Sequence, residues 1–351
     1  MSILTPDGSH ICLDGPASLP IVVPHLLGFH PVRSLVVVGL VGEQSTVRVT
    51  CRVDMPDESL SHWHWESLVR ALDRGECSDA IVVAYPAAGT SLTQMPAVPI
   101  VESIVGELAA SGIRVGDAIA ISGLRYRSYF CVNDGCCPED GREPTARQVL
   151  ELKAALVWQG SAPRASRDDI AAALVPRGAD DPLRCALTER RGGIEMRLPS
   201  GVLTRATGLV DALGGAAEMS MSARVRLMVY AGFVCSDVLT RDLFLFQLTR
   251  IPRSETLAHA RDILSEVVRC YDGHERAAAA ACLAVCAWVC GDGAAARVAA
   301  DVALEVDPSY RLAVLVSVAL DDGQPPSLWT DLMGHLSVEQ LMGPSRVSVD
   351  I

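Results

Sequence analysis

Residues 34–53 read SLVVVGLV (Ser34–Val41), GEQS (Gly42–Ser45) and TVRVTCRV (Thr46–Val53), and their periodicity decides the fold. The first run is apolar almost throughout, the pattern of a strand covered on both faces. The second alternates, with Val47, Val49, Cys51 and Val53 on one side and Thr46, Arg48, Thr50 and Arg52 on the other. That is the pattern of a strand with one wet face. Gly42-Glu43-Gln44 offers a turn between them, and the three pieces together predict an antiparallel hairpin.

Upstream, Ala17–Leu27 reads as a short helix stopped by Gly28, a residue suited to the left-handed conformation past a helix end. Downstream, Ser59–Arg74 fits a helix, with Trp65, Leu68, Val69 and Leu72 on one face. Asp79–Tyr85 is strand-like, Val98–Ala110 helical, and Ile113–Ser122 and Arg125–Val132 read as two further strands across Gly123. Hairpins mixed with helical crossovers predict an α/β domain whose mixed sheet is flanked by helices.

Beyond Val132 the strand signal stops. Helices are expected at Ala146–Gln159 and Ser166–Leu174, an irregular stretch over Val175–Pro199, and helices from Ser200 onward. Within Ala277–Leu320, the small and large residues Ala284, Trp288, Gly291, Ala299, Ala303, Leu304, Asp307, Pro308 and Tyr310 resemble tetratricopeptide-like helix pairs. The expected division is a mixed α/β sheet domain over 1–160, a helical or irregular connector over 161–199, an all-helical domain with repeat-like helix pairs over 200–336, and a flexible tail over 337–351.

Composition narrows the function classes. A net charge of −12 repels phosphate backbones and anionic lipid surfaces, so neither a nucleic acid nor a membrane is an expected partner. No apolar run approaches the roughly 18 residues of a membrane span, and the N-terminus lacks a basic segment followed by an apolar one. A cytoplasmic location is therefore expected. There the twelve cysteines would be reduced and would serve mostly as small hydrophobes. Lys153 is the only lysine, and neither a G-x-x-x-x-G-K-[ST] phosphate loop nor a G-x-S-x-G nucleophile motif occurs.

Four places carry residues with chemical potential. If the hairpin forms, His30, Arg33 and Ser34 gather near Arg52 and Asp54 at its base, where an imidazole beside a carboxylate could act as a base or bind a ligand. The plainer reading is that these groups hold loop backbone. Cys131, Cys136 and Cys137 lie in a polar loop after a strand; three thiolates joined by His30 or His25 would complete a four-ligand zinc set. Against this, C-x-x-C spacing is missing, and adjacent cysteines diverge on an extended chain. His62 and His64 are two apart, so on a helix they point about 200° apart and share no ion. Cys282, Cys286 and Cys290 recur every four residues among alanines, which fits tight helix packing.

Four blocks, PHLLGFHPVRSLVVVGL (24–40), CRVDMP (51–56), RSYFCVNDGCCPEDG (127–141) and the stretch AWVCGDG to PSLW (287–329), occur in an order that resembles the actinobacterial domain-of-unknown-function family 4192 (DUF4192). The resemblance implies a bacterial cytoplasmic protein and brings no activity, cofactor or partner. Two readings of function remain. In the first, a non-enzymatic interaction or regulatory protein offers its helical half to a protein partner, favoured by the repeat-like helices and the lack of a complete catalytic set. In the second, an enzyme or a small-molecule or metal binder uses the sheet-end loops. A joint site of His30 and Cys136 requires that both lie at the same place on the sheet.

Overall fold

Strand β3 (Ser34–Val41) is buried from Ser34 to Leu40, and the computed structural model explains why its sequence has no polar phase. Leu35 and Val37 face one apolar cluster, with Leu68, Leu72, Ile100, Ile104 and Leu108. Val36, Val38 and Leu40 face another, with Leu19 and Val23. The first cluster lies under helices α2 (Glu66–Arg74) and α3 (Val98–Ala110), the second under α1 (Leu19–Leu27). A strand covered on both sides must be apolar at successive positions, and each such side chain contributes about 1.5–3 kcal/mol on burial. The structure describes all residues except 5–9, 57–63, 159–161, 196–198, 217–218, 251–253 and 344–351.

Strand β4 (Thr46–Asp54) pairs antiparallel with β3, as the alternation predicts, but one inference from that alternation fails. Val49, Cys51 and Val53 pack with the α2–α3 cluster, whereas Val47 packs with the α1 cluster. The register passes from Gly39↔Val49 to Leu40↔Val47, leaving Arg48 unpaired. This extra residue is a β-bulge, and it turns the rest of the strand over. The bulge lies beside Gly39, where a Cβ would sit 2.6 Å from Cys77 Sγ and overlap Leu72 as well. Glycine there lets α2 lie close against the sheet.

Among the described residues the sheet has seven strands. Besides β3 and β4 they are β1 (Ser2–Leu4), β2 (His10–Cys12), β5 (Asp79–Tyr85), β6 (Arg114–Ser122) and β7 (Arg125–Ser128). Their order is β2-β1-β4-β3-β5-β6-β7. β5 and β6 are parallel, as is the short β1–β4 pairing, and the other pairs are antiparallel, so the sheet is mixed. β1 and β2 are too short to show a period, and the sequence reading misses them. β7 stops at Ser128 rather than Val132 because the Ser128 hydroxyl takes the N–H groups of Phe130 and Cys131 and ends the ladder. Helix α2 begins at Glu66; the earlier part of the expected Ser59–Arg74 helix falls mostly outside the described residues. Gly28 caps α1 with φ +77°, and helix α4 (Ala146–Trp158) completes the set.

The chain divides into two compact units, one of Met1–Arg167 with Asp321–Pro325 and one of Asp168–Leu320 with Pro326–Ile351. The second is helical: α5 (Arg167–Ala172), α6 (Pro182–Glu195), α7 (Val202–Gly214), α8 (Met221–Ser236), α9 (Val238–Leu248), α10 (Glu255–Cys270), α11 (Gly273–Val289), α12 (Gly293–Val306), α13 (Arg311–Asp321), α14 (Ser327–Gly334) and α15 (Val338–Met342). Helix α6 occupies a stretch expected to be irregular. Its start is fixed by Asp181, whose carboxylate accepts the Leu183 and Arg184 N–H groups, and Leu187 anchors it in the core. Of the expected loose tail over 337–351, α15 is a helix with a Ser337–Gln340 capping box, and residues 344–351 lie outside the described residues.

Helix α11 is buried on every side from Arg276 to Val289, between α8, α10 and α12. Its alanines permit close helix approach, and Cys282 and Cys286 are core side chains there. The twelve cysteines are all free thiols. Among the described residues no helix is long and apolar enough to cross a membrane.

Candidate metal site

At the hairpin base, Ser34 lies opposite Asp54 and Val36 opposite Arg52. Arg52 Nε donates to Ser34 Oγ at 2.9 Å, its Nη2 donates to Asp54 Oδ1 at 2.6 Å, and its guanidinium lies 5.9 Å from the Phe29 ring centroid. Ser34 donates in turn to the Val32 carbonyl. Among the described residues Arg33 takes part through its backbone: its N–H meets Pro86 O, its carbonyl accepts from Met55 N, and its φ is +45°. Ser34, Arg52 and Asp54 thus form one connected group, with Arg33 beside it.

His30 stands apart from that group. Its N–H donates to Arg164 O at 3.0 Å, and among the described residues no hydrogen bond or ion pair joins it to Asp54. It lines a cleft with Tyr85 and Ser122. Partial burial, and the charge of Lys153 in second place, hold its imidazole below the usual pKa and hence neutral. The carboxylate–imidazole pair that a base would need is not assembled at the hairpin base.

The cysteine loop is assembled. The Sγ atoms of Cys131, Cys136 and Cys137 all lie within 4.8 Å of one another. The expectation that adjacent cysteines diverge assumed an extended chain, but residues 133–137 form a helical turn. Cys136 N and Cys137 N both donate to Asn133 O, at 2.9 and 2.6 Å, and Gly135 N donates to Asn133 Oδ1. The Asn-Asp-Gly turn signal was present in the sequence and is what could have revealed this.

The opposite side of the loop is held by Ser128. Its hydroxyl donates to Asp117 Oδ1 at 2.6 Å and accepts the Phe130 and Cys131 N–H groups. Asp117, Ser128 and Asn133 are therefore the residues that position the thiols, and sequence reasoning did not single them out for that role. Arg142 donates to Gly135 O, and Arg127 donates to the Leu92, Thr93 and Glu139 carbonyls.

The thiols differ in acidity. The Asn133 backbone hydrogen bond and one from the Cys137 side chain lower the pKa of Cys131. Burial raises that of Cys137. One sulfur is thus disposed toward the thiolate and another is kept protonated until an ion displaces its proton. Three sulfurs about 2.3 Å from a metal would sit about 3.8–4.0 Å apart, so a small contraction closes the site.

Neither His30 nor His25 belongs to this cluster. β3, which His30 precedes, and β7, which leads into the cysteines, are three places apart in the sheet, about 14 Å at the usual strand spacing. The joint histidine–cysteine site considered from the sequence is not what the fold builds. Among the described residues no fourth His, Cys, Asp or Glu completes the set. His62 lies outside the described residues, and His64 is exposed.

A family model described as "Domain of unknown function (DUF4192)" matches residues 16–327. No curated protein and no solved structure gives a significant match.

Proposed function

The chain belongs to the DUF4192 family, and from that premise we propose that its sheet unit binds one thiophilic metal ion, zinc foremost, through Cys131, Cys136 and Cys137. The observation that carries this reading is the convergence of three sulfurs within 4.8 Å from a spacing that, on an extended chain, would scatter them. Thiolate donors favour soft or borderline ions over magnesium or calcium. Three protein ligands with an open fourth position is the ligand count of catalytic zinc sites, whereas structural sites use four. The fourth position would take water or a substrate atom. The reading needs reduced thiols, and Cys131, Cys136 and Cys137 are all free.

The test is a zinc competition titration against a chromophoric chelator, using the reduced full-length chain and the Cys131→Ser, Cys136→Ser and Cys137→Ser variants. One zinc per chain, lost or greatly weakened in each variant, supports the assignment. Equal zinc retention by all four proteins contradicts it.

A second reading concerns the helical unit, and exposed side chains favour it. Val314, Leu315 and Val318 are exposed along one side of α13, while Leu312, Ala313 and Val316 are buried on the other. An exposed aliphatic stripe of this spacing suits a helix of a protein partner, and the small residues of α11 and α12 fit a tetratricopeptide-like pairing. A photoreactive residue at position 315 should then cross-link to one partner, and Val318→Asp should abolish the adduct. An adduct that survives Val318→Asp would count against this use of the stripe.

A further inference from the structure

Cys136 is exposed, Cys131 is half-buried and Cys137 is buried, and their sulfurs lie within 4.8 Å of one another. Thiols gathered in this way join when two electrons are removed from them. The loop that collects ligands for an ion therefore also holds the two halves of a disulfide. The two uses exclude each other, because a disulfide sulfur has given up the thiolate charge that a metal ligand needs.

Backbone geometry selects the pair. A trans peptide joins Cys136 to Cys137 and sets their Cα atoms about 3.8 Å apart, short of the roughly 4.4–6.8 Å that a disulfide spans. The pair therefore includes Cys131. Cys137 is 8% exposed, out of reach of a solute, whereas residues 132–136 are all exposed. Drawing the Cys131 and Cys136 sulfurs together to about 2.05 Å moves a surface turn and displaces no core side chain.

We propose that Cys131 and Cys136 form a reversible disulfide with a hydroperoxide as the oxidant, and that its formation releases the metal ion. The release rests on the metal assignment proposed for these cysteines; the disulfide rests on the sulfur geometry alone. The Cys136 thiolate attacks the peroxide: an S–O bond forms, the O–O bond breaks, and the leaving oxygen takes a proton from solvent to become water or an alcohol. The Cys131 thiolate then attacks the sulfenic sulfur. The S–S bond forms, the S–O bond breaks, and the departing hydroxide takes a proton to become water. Each of the two sulfurs gives up one electron, and the peroxide takes both. Cys137 alone is too few ligands for the ion and regains a proton as the ion leaves. A thiol reductant reverses the step by exchange.

The experiment treats the reduced, zinc-loaded full chain with one equivalent of hydrogen peroxide. A chromogenic indicator reads free zinc, and alkylation with peptide mass spectrometry reads the thiols. One zinc should be released per disulfide formed, the disulfide should join Cys131 to Cys136 and leave Cys137 alkylated, and dithiothreitol with zinc should restore the starting state. Metal-free Cys137→Ser should form the same disulfide, and metal-free Cys131→Ser should form none in this loop. Zinc that stays bound after the disulfide forms, no disulfide, one that joins Cys137, or one formed in Cys131→Ser would overturn the proposal and leave the metal assignment standing. A reduced chain that binds no zinc would overturn that assignment and the release with it, while the Cys137→Ser arm still decides the disulfide.

Discussion

Arg52 reaches diagonally across the β3–β4 pair to donate its Nε–H to Ser34 Oγ at 2.9 Å, although its ladder partner is Val36. This one contact turns a set of residues that look catalytic in sequence into a hairpin clamp. Ser34 is wholly buried, Arg52 is largely so, and Asp54 is 80% exposed.

The clamp predicts unequal effects for its two ends. Arg52→Ala removes a charge-assisted hydrogen bond to a buried hydroxyl and the contact over Phe29, and should cost about 1.5–3 kcal/mol. Asp54→Ala removes only an exposed ion pair and should stay within about 0.5 kcal/mol. Urea denaturation of both variants checks this; equal losses would mean that Asp54 has a role beyond the exposed pair.

Gly39→Ala should destabilise the sheet unit by about 1–3 kcal/mol, because the new Cβ meets Cys77 Sγ and Leu72 with no free space. The same denaturation measurement applies. A neutral result would show that α2 can shift outward at no cost.

Much of this fold was legible because its strands obey simple periods. Ser34–Val41 has no polar phase since helices cover both of its faces, and Asp79–Tyr85 and Val98–Ala110 appear at the limits their patterns set. What escaped the sequence was whatever depends on a single residue interrupting a period. The bulge at Arg48 reverses Val47, Ser128 ends β7 four residues early, and Asp181 starts a helix in a stretch rich in arginine and glycine. The site behaved in the same way. The three cysteines were visible, but their convergence depends on Asn133 closing a turn, a local hydrogen-bond choice that hydrophobic pattern does not encode.

Asp117 offers a test of the support beneath the cysteines. Burial raises its pKa, so the folded state holds a proton more tightly than the unfolded chain. Stability therefore increases as pH falls through the window between the ordinary carboxylate value and the raised one, and the ionised form is a cost at neutral pH. Asp117→Asn keeps an oxygen to accept from Ser128 Oγ and Ala118 N and removes the charge. At pH 7 it should be as stable as the wild type or more so, because the cost of the buried charge is gone while the hydrogen bonds stay. A substantial loss of stability would show that the negative charge itself is needed.

The contrast between the thiols has a chemical readout. In the metal-free reduced protein, Cys131 should react with iodoacetamide at lower pH than Cys137, since a backbone hydrogen bond stabilises one thiolate and burial disfavours the other. Peptide mass spectrometry across a pH series reads each site separately. Zinc should protect both, with protection lost as the pH falls and protons compete for the sulfurs. Reaction of Cys137 before Cys131 would contradict the assigned environments.

The most direct measurement is zinc-edge X-ray absorption on the zinc-loaded full-length chain. Coordination through Cys131, Cys136 and Cys137 predicts three sulfur scatterers at about 2.3 Å and one lighter atom at about 2.0–2.2 Å. A shell of nitrogen and oxygen alone, or one unchanged by Cys136→Ser, would show that the ion is held elsewhere.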